Sequence, residues 1–236
     1  MIKSDILDIV NKCYRYCNLS HPVNLYDLSE KLDIKVFKAD LDSEGYFLNK
    51  NGKLYILLNK NCINENRQRF TFAHEIGHAI LHSNSSIIKS NVNRTLIFNY
   101  PKELDTVEKQ ANFFASELLC PSSHLKNEMP NTSINFKIVD YVADKYLISR
   151  QMAAIKCVFN SKTENELLLF YDDNNEIKWF VSNDAELKYS ELPNDVREVN
   201  SFLEHYFDKD LVSEEYTVES YGTTILASGK IQYNYY

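Results

Sequence analysis

Apolar residues recur at helical spacing over 2–17, where Ile2, Ile6, Ile9, Val10, Cys13 and Cys17 line one side of an amphipathic helix. A shorter helix is expected over 24–32, with Leu25, Leu28 and Leu32 inward, and 34–37 then reads as a strand. Two more strands, 45–48 and 54–58, are joined across Asn51-Gly52, a pair that supplies the positive backbone angles of a tight hairpin turn. This two-stranded ribbon leads into a helix over 65–83, followed by a loop over 83–99. A long helix over 103–119 stops at Pro121, which lacks an amide donor. Helical periodicity returns over 136–146 and 150–159, with Ser149 placed to cap the second segment. From 165 the texture changes: LLLFYDD and EIKWFVS around Asn174-Asn175 predict a hairpin, followed by a helix over 195–207 and a Tyr-rich strand region to 236. The pattern is α+β, organised as a domain over 1–160 and an α+β extension over 165–236, with no internal repeat.

Composition narrows the class. A chain of 236 residues that is 44% hydrophobic has enough apolar surface for a core without disulfides. Only 5 glycines and 5 prolines occur beside 25% charged residues, which argues against a disordered or fibrous chain. The net charge of -7 lacks the basic footprint of a nucleic-acid binder, so no direct nucleic-acid contact is expected. Lys3, Asp5 and Asp8 interrupt the apolar residues of the N-terminus, unlike a secretory signal. No run approaches the roughly 18 apolar residues of a membrane span. Five scattered cysteines, an odd number, suit a reducing compartment, and a cytoplasmic location is the expectation.

The chemistry concentrates in FTFAHEIGHAILH, residues 70–82. His74 and His78 are one helical turn apart, so both imidazoles project from one face and can meet one ion. Glu75 is rotated by about 100° from His74, off the ligand stripe but near the ion's water, which suits a general base. Zinc held by three protein ligands keeps an open position, acidifies water and polarises a carbonyl. His82 lies about 12 Å along the helix axis from His74, too far to share the ion, and is expected to orient a neighbour or cap the helix. For the third ligand, Glu108 in EKQANFFASELLCP is favoured. It flanks an apolar stripe of Val107, Ala111, Phe114 and Leu118, with Asn112 following on its own face. Ala111 and Ala115 there, with Ala73 and Gly77 on the His helix, are small enough for close helix approach. Glu103, Asp105 and Glu117 have the same chemistry and compete for the role.

Asn59, RQRFTFAHEIGHAILH and EKQANFFASELLCP together resemble the ImmA/IrrE family of zinc-dependent metallopeptidases, and HPVNLYDLSEKLDIKVF resembles its N-terminal lead-in. The resemblance covers about residues 1–160. It implies a minimal zincin-like metallopeptidase domain, a small sheet packed on helices with the HExxH helix central. It further implies one zinc ion on His74, His78 and Glu108, with Glu75 as base; His82 and Asn112 are the candidate supporting residues. Members of the family cleave a DNA-binding repressor and so switch on transcription, which makes a repressor-type regulator the expected partner. An acidic chain would attract such a basic partner, and the strand over 54–58 is a candidate for pairing with an extended substrate segment. Two other readings stand beside this one. One is a zincin fold that binds its regulator without cutting, or a toxin–antitoxin component. The other is a DNA-binding regulator using helices over 136–159, with Lys145, Arg150 and Lys156 as phosphate contacts. The resemblance does not reach the tail over 165–236; Tyr216, Tyr221, Tyr233, Tyr235 and Tyr236 are either a recognition surface or strand packing.

Overall fold

The computed structural model describes residues 1–83, 87–90, 106–171, 174–184, 187, 192–207, 209–212 and 225–233. The chain divides into two compact units, one made of Met1–Pro121 with Ala143–Ser149 and the other of Ser122–Val142 with Arg150–Tyr236.

The first unit opens with α1 (Lys3–Cys17), whose Ile6, Val10, Cys13 and Cys17 are buried as their spacing predicts, and which ends at Asn18 in the left-handed conformation. Helix α2 (Leu25–Lys31) is capped by Asn24, whose side chain accepts from the Tyr26 and Asp27 amides. Strands β1 (Ile34–Ala39), β2 (Gly45–Lys50) and β3 (Lys53–Asn59) follow, then α3 (Glu65–Leu81), β4 (Ile87–Ser90) and α4 (Val107–Leu119). The β2–β3 turn has positive φ at both Asn51 and Gly52, and the Asn49 side chain accepts from the Gly52 amide at 3.0 Å.

The ribbon belongs to a larger sheet. Its order is β1-β3-β2-β4, with β1 parallel to β3 and the other pairs antiparallel. Two expectations change as a result. The segment over 83–99 contains β4, which pairs with β2 from Gly45↔Ser90 to Leu48↔Ile87. Strand β3 is bonded on both sides, so it offers no free edge to a substrate; the outer strands among the described residues are β1 and β4. Neither change was visible locally, because both depend on which distant strand supplies the second row of hydrogen bonds.

Thr106 starts α4 by accepting from the Lys109 amide at 3.2 Å; the expected first residues, 103–105, lie outside the described part. Ala111, Phe114 and Leu118 are fully buried, whereas Val107 is 44% exposed because it occupies the first turn, ahead of the packed stretch.

The second unit contains α5 (Ser122–Glu128), α6 (Phe136–Tyr146, shared with the first unit), α7 (Arg150–Asn160), β5 (Glu166–Tyr171), β6 (Ile177–Ser182), α8 (Val199–Phe207), β7 (Lys209–Val212) and β8 (Ile225–Tyr233). A 3-10 turn over Val196–Glu198 introduces α8. The sheet order is β6-β5-β8-β7, all antiparallel. Strand β5 is central and buried on both faces. Leu167 and Leu169 pack with Leu187, Val199 and Leu203, and the Phe170 ring meets those of Trp179 and Phe136 at 4.5 and 6.1 Å. Of the tyrosines singled out, Tyr233 ends β8 while Tyr216, Tyr221, Tyr235 and Tyr236 lie outside the described residues. No helix of the described residues is long and apolar enough to cross a membrane.

Candidate metal centre

Helix α3 is buried along its middle, from Thr71 to Ala79, so its polar residues there must be satisfied by neighbours. Gly77 lies in close contact with α4. A β-carbon on it would lie 3.1 Å from Phe114 Cδ1 and 3.3 Å from the Ala111 Cα and carbonyl oxygen. The small residues on the two helices bring their backbones together, and the side chains of His74 and His78 meet the first turn of α4.

There His74 Nε2 lies 3.2 Å from one Glu108 carboxylate oxygen, and His78 Nε2 lies 3.2 Å from the other. The two Nε2 atoms are 3.0 Å apart. Both imidazoles are fully buried, while the Glu108 side chain is 37% exposed. Of the competing acids, Glu117 interacts with Lys3 on α1, and Glu103 and Asp105 lie outside the described residues.

Hydrogen bonds on the far side of each ring decide which nitrogen carries the proton. His74 Nδ1 is 2.8 Å from Asn112 Oδ1. A carbonyl oxygen can only accept, so Nδ1 donates and His74 Nε2 is a bare lone pair. His82 Nε2 donates to Gln110 Oε1 at 2.9 Å, which leaves His82 Nδ1 to accept from His78 Nδ1 at 3.0 Å. With neutral rings, His78 Nε2 is bare as well. Burial disfavours the charged imidazole and lowers the pKa of His78, outweighing the opposing pull of Glu108. Glu108 keeps its side chain partly exposed to solvent, where a carboxylate is well hydrated. It is therefore ionised at neutral pH.

Three electron-pair donors thus converge with no proton between them, an arrangement that repels unless a cation lies at its centre. The two Nε2 atoms are 3.0 Å apart and each lies 3.2 Å from a different Glu108 oxygen, close to the roughly 3.3 Å between ligand atoms of a tetrahedral zinc with bonds of about 2.0–2.1 Å. His74, His78 and Glu108 form the group of metal-competent side chains found among the described residues. Two nitrogens and a carboxylate suit zinc, so the donors fit the ion. His82 and Asn112 hold the ring nitrogens that face away from the centre. Gln110, which completes the His82 arm, carries no signal in the sequence beyond its place two residues after Glu108.

Glu75 is fully buried on the adjoining face of α3. A β-carbon on Gly45 of β2 would lie 2.9 Å from its Oε1, so the carboxylate lies directly against the strand backbone.

A sequence profile of the peptidase family described as the IrrE N-terminal-like domain matches residues 29–158. The chain belongs to this family. Among curated proteins it is similar to the metallopeptidase ImmA of Bacillus subtilis, 33% identical over 112 residues covering 45% of this chain and 60% of that protein. It is also similar to the uncharacterized immunity region protein 2 of Bacillus phage phi105, 35% identical over 102 residues covering 42% of this chain and 59% of that one. The matches therefore span about three fifths of those relatives' length. A solved Mycobacterium tuberculosis transcriptional regulator shares the fold at 11% identity, with a TM-score of 0.54 over 96% of this chain and 76% of that chain. Family membership carries with it a metallopeptidase-type centre, and the His74, His78 and Glu108 cluster supplies the donors for one.

Proposed function

We propose that the chain is a zinc-dependent peptidase that cleaves a DNA-binding repressor and thereby releases transcription. The observation that carries this reading is the convergence of two imidazole nitrogens and one carboxylate, with the buried Glu75 one residue from His74. In this reading His74, His78 and Glu108 hold one zinc ion, and Asn112 and His82 fix the two rings. When bound, the ion supplies Lewis acidity for a peptide carbonyl and lowers the pKa of water. Glu75 accepts a proton from the attacking water and returns it to the leaving amine, so the same carboxylate serves as base and then acid. In this reading the peptidase part is residues 1–160, which contain the family match over 29–158, and 165–236 are an extension that shares the second compact unit with α5 and α7. The net charge of -7 favours encounter with a basic partner such as a repressor.

The DNA-binding alternative loses support at its own residues. Arg150 is paired with Asp140, its Nε lying 2.8 Å from Oδ1. Lys156 is only 4% exposed, and its Nζ donates to Ser122 Oγ at 3.3 Å. Lys145 lies over the Tyr146 ring, 5.6 Å from the centroid. A phosphate would have to displace these partners.

The test is co-expression with a repressor-type DNA-binding regulator from the same genome. Wild type is expected to cleave the regulator; Glu75→Gln is expected to keep one equivalent of metal and leave the regulator intact. A regulator that stays whole with both proteins but co-purifies with them would replace cleavage by binding alone.

A further inference from the structure

Arg67, Thr71 and Glu75 are spaced four apart on α3 and share one face. That face meets β2, whereas His74 and His78 turn toward α4. The first two residues of the face grip the residue just before the strand. Arg67 forms an ion pair with Glu44, and Thr71 Oγ1 donates to Glu44 Oε2 at 3.0 Å. From the other side, the Asn59 amide donates to the Glu44 carbonyl at 3.0 Å. The Asn59 side-chain nitrogen donates to the Leu41 and Ser43 carbonyls, both at 2.9 Å. The segment entering β2 is thus tied to the helix by its side chain and to β3 by its backbone.

The next residue is Gly45. A β-carbon there would lie 2.9 Å from Glu75 Oε1, 2.9 Å from Thr71 Cγ2 and 3.2 Å from Glu75 Cγ. Thr71 is β-branched in a helix and has little freedom to turn away. Glu75 is fully buried and has no solvent to retreat into. The glycine is therefore required by contact: the bare backbone of β2 is the wall against which the carboxylate rests.

We propose that Gly45, held in place by the Glu44 latch to Arg67 and Thr71, is a positioning element for the Glu75 carboxylate. It sets where the base stands relative to His74 and His78 without touching substrate or metal. This inference rests on Glu75 being the general base, and its test separates the two ideas. Misplacing a catalytic group by an ångström costs on the order of 100-fold in rate. For Gly45→Ala, kcat on the cleaved regulator is expected to fall by about 10- to 100-fold. KM and the zinc content should change little. Adding Thr71→Ser removes the crowding methyl but keeps the hydroxyl that bonds Glu44, and part of the loss should return. A structural role alone would lower stability without this kcat-specific loss or its rescue.

A crystal structure of Gly45→Ala decides the matter without any assay. The expected result is a displaced Glu75 carboxylate beside a His74, His78 and Glu108 triangle of unchanged dimensions. A carboxylate left in place while β2 backs away would overturn the proposal, as would an unchanged kcat. If Gly45→Ala does not fold, Glu44→Gln loosens the same latch at a partly exposed site, and unchanged kcat there would equally overturn it. An inactive Glu75→Gln beside a fully active Gly45→Ala would remove only the positioning role. Retained cleavage by Glu75→Gln would remove the general-base reading itself, leaving the crystallographic displacement to judge the contact.

Discussion

Each metal-facing imidazole is useful only in one tautomer, and a single neighbouring atom sets it. Asn112 Oδ1 fixes His74, and the His82–Gln110 pair fixes His78. Removing such a partner leaves the ligand free to rotate or to carry its proton on the wrong nitrogen, which typically costs about 10- to 100-fold in metal affinity. Asn112→Ala and His82→Ala should each weaken zinc binding by about that factor, measured by competition with a chromophoric chelator. The two act on rings that share one ion, so their effects should be coupled rather than additive in the double variant. Gln110→Ala should resemble a milder His82→Ala, because His82 then keeps its place but loses the acceptor that directs its proton. Unaltered zinc affinity in both Asn112→Ala and His82→Ala would mean that the rings are held by packing alone.

At the scale of elements, the centre exists because α3 and α4 touch at Gly77. Gly77→Leu would force Phe114 and the Ala111 backbone away, and overpacking of this kind costs about 1–3 kcal/mol. The variant should melt earlier than wild type without metal. It should also lose zinc affinity, because Glu108 travels with α4. These helices were legible in the sequence because their information is local: His residues four apart, a stripe of buried alanines, a proline stop. The hairpin turn was legible for the same reason, since Asn51-Gly52 dictates its own geometry. Strand β4 was not, because IIKS is four residues long and is a strand only by virtue of its pairing with β2. Helix α5 was missed because SSHLKNE buries only Leu125 and shows no period. Gly45 read as no more than the start of a strand, since its close contact is with a side chain thirty positions away. Local pattern thus pointed to the residues that converge at the candidate centre, while the contacts around Glu75 required the fold.

Across the whole molecule, the three donors all belong to the first compact unit, yet they come from two helices separated by the stretch between His78 and Glu108. An unfolded chain does not present them together, so a metal ion held by these donors would bind the folded form preferentially and add its binding energy to folding. A free zinc concentration 100 times the dissociation constant should add about 2.7 kcal/mol of stability. Thermal melts before and after treatment with a chelator should therefore differ by several degrees, and the difference should vanish in His78→Ala. Hydrogen exchange should place the gained protection in Glu65–Leu81 and Val107–Leu119, the two helices that the ion joins. Protection that rose equally in the β5–β8 sheet would mean that the second unit unfolds together with the first. A wild-type melt indifferent to both zinc and chelator would mean that the converging nitrogens and carboxylate do not form a metal site.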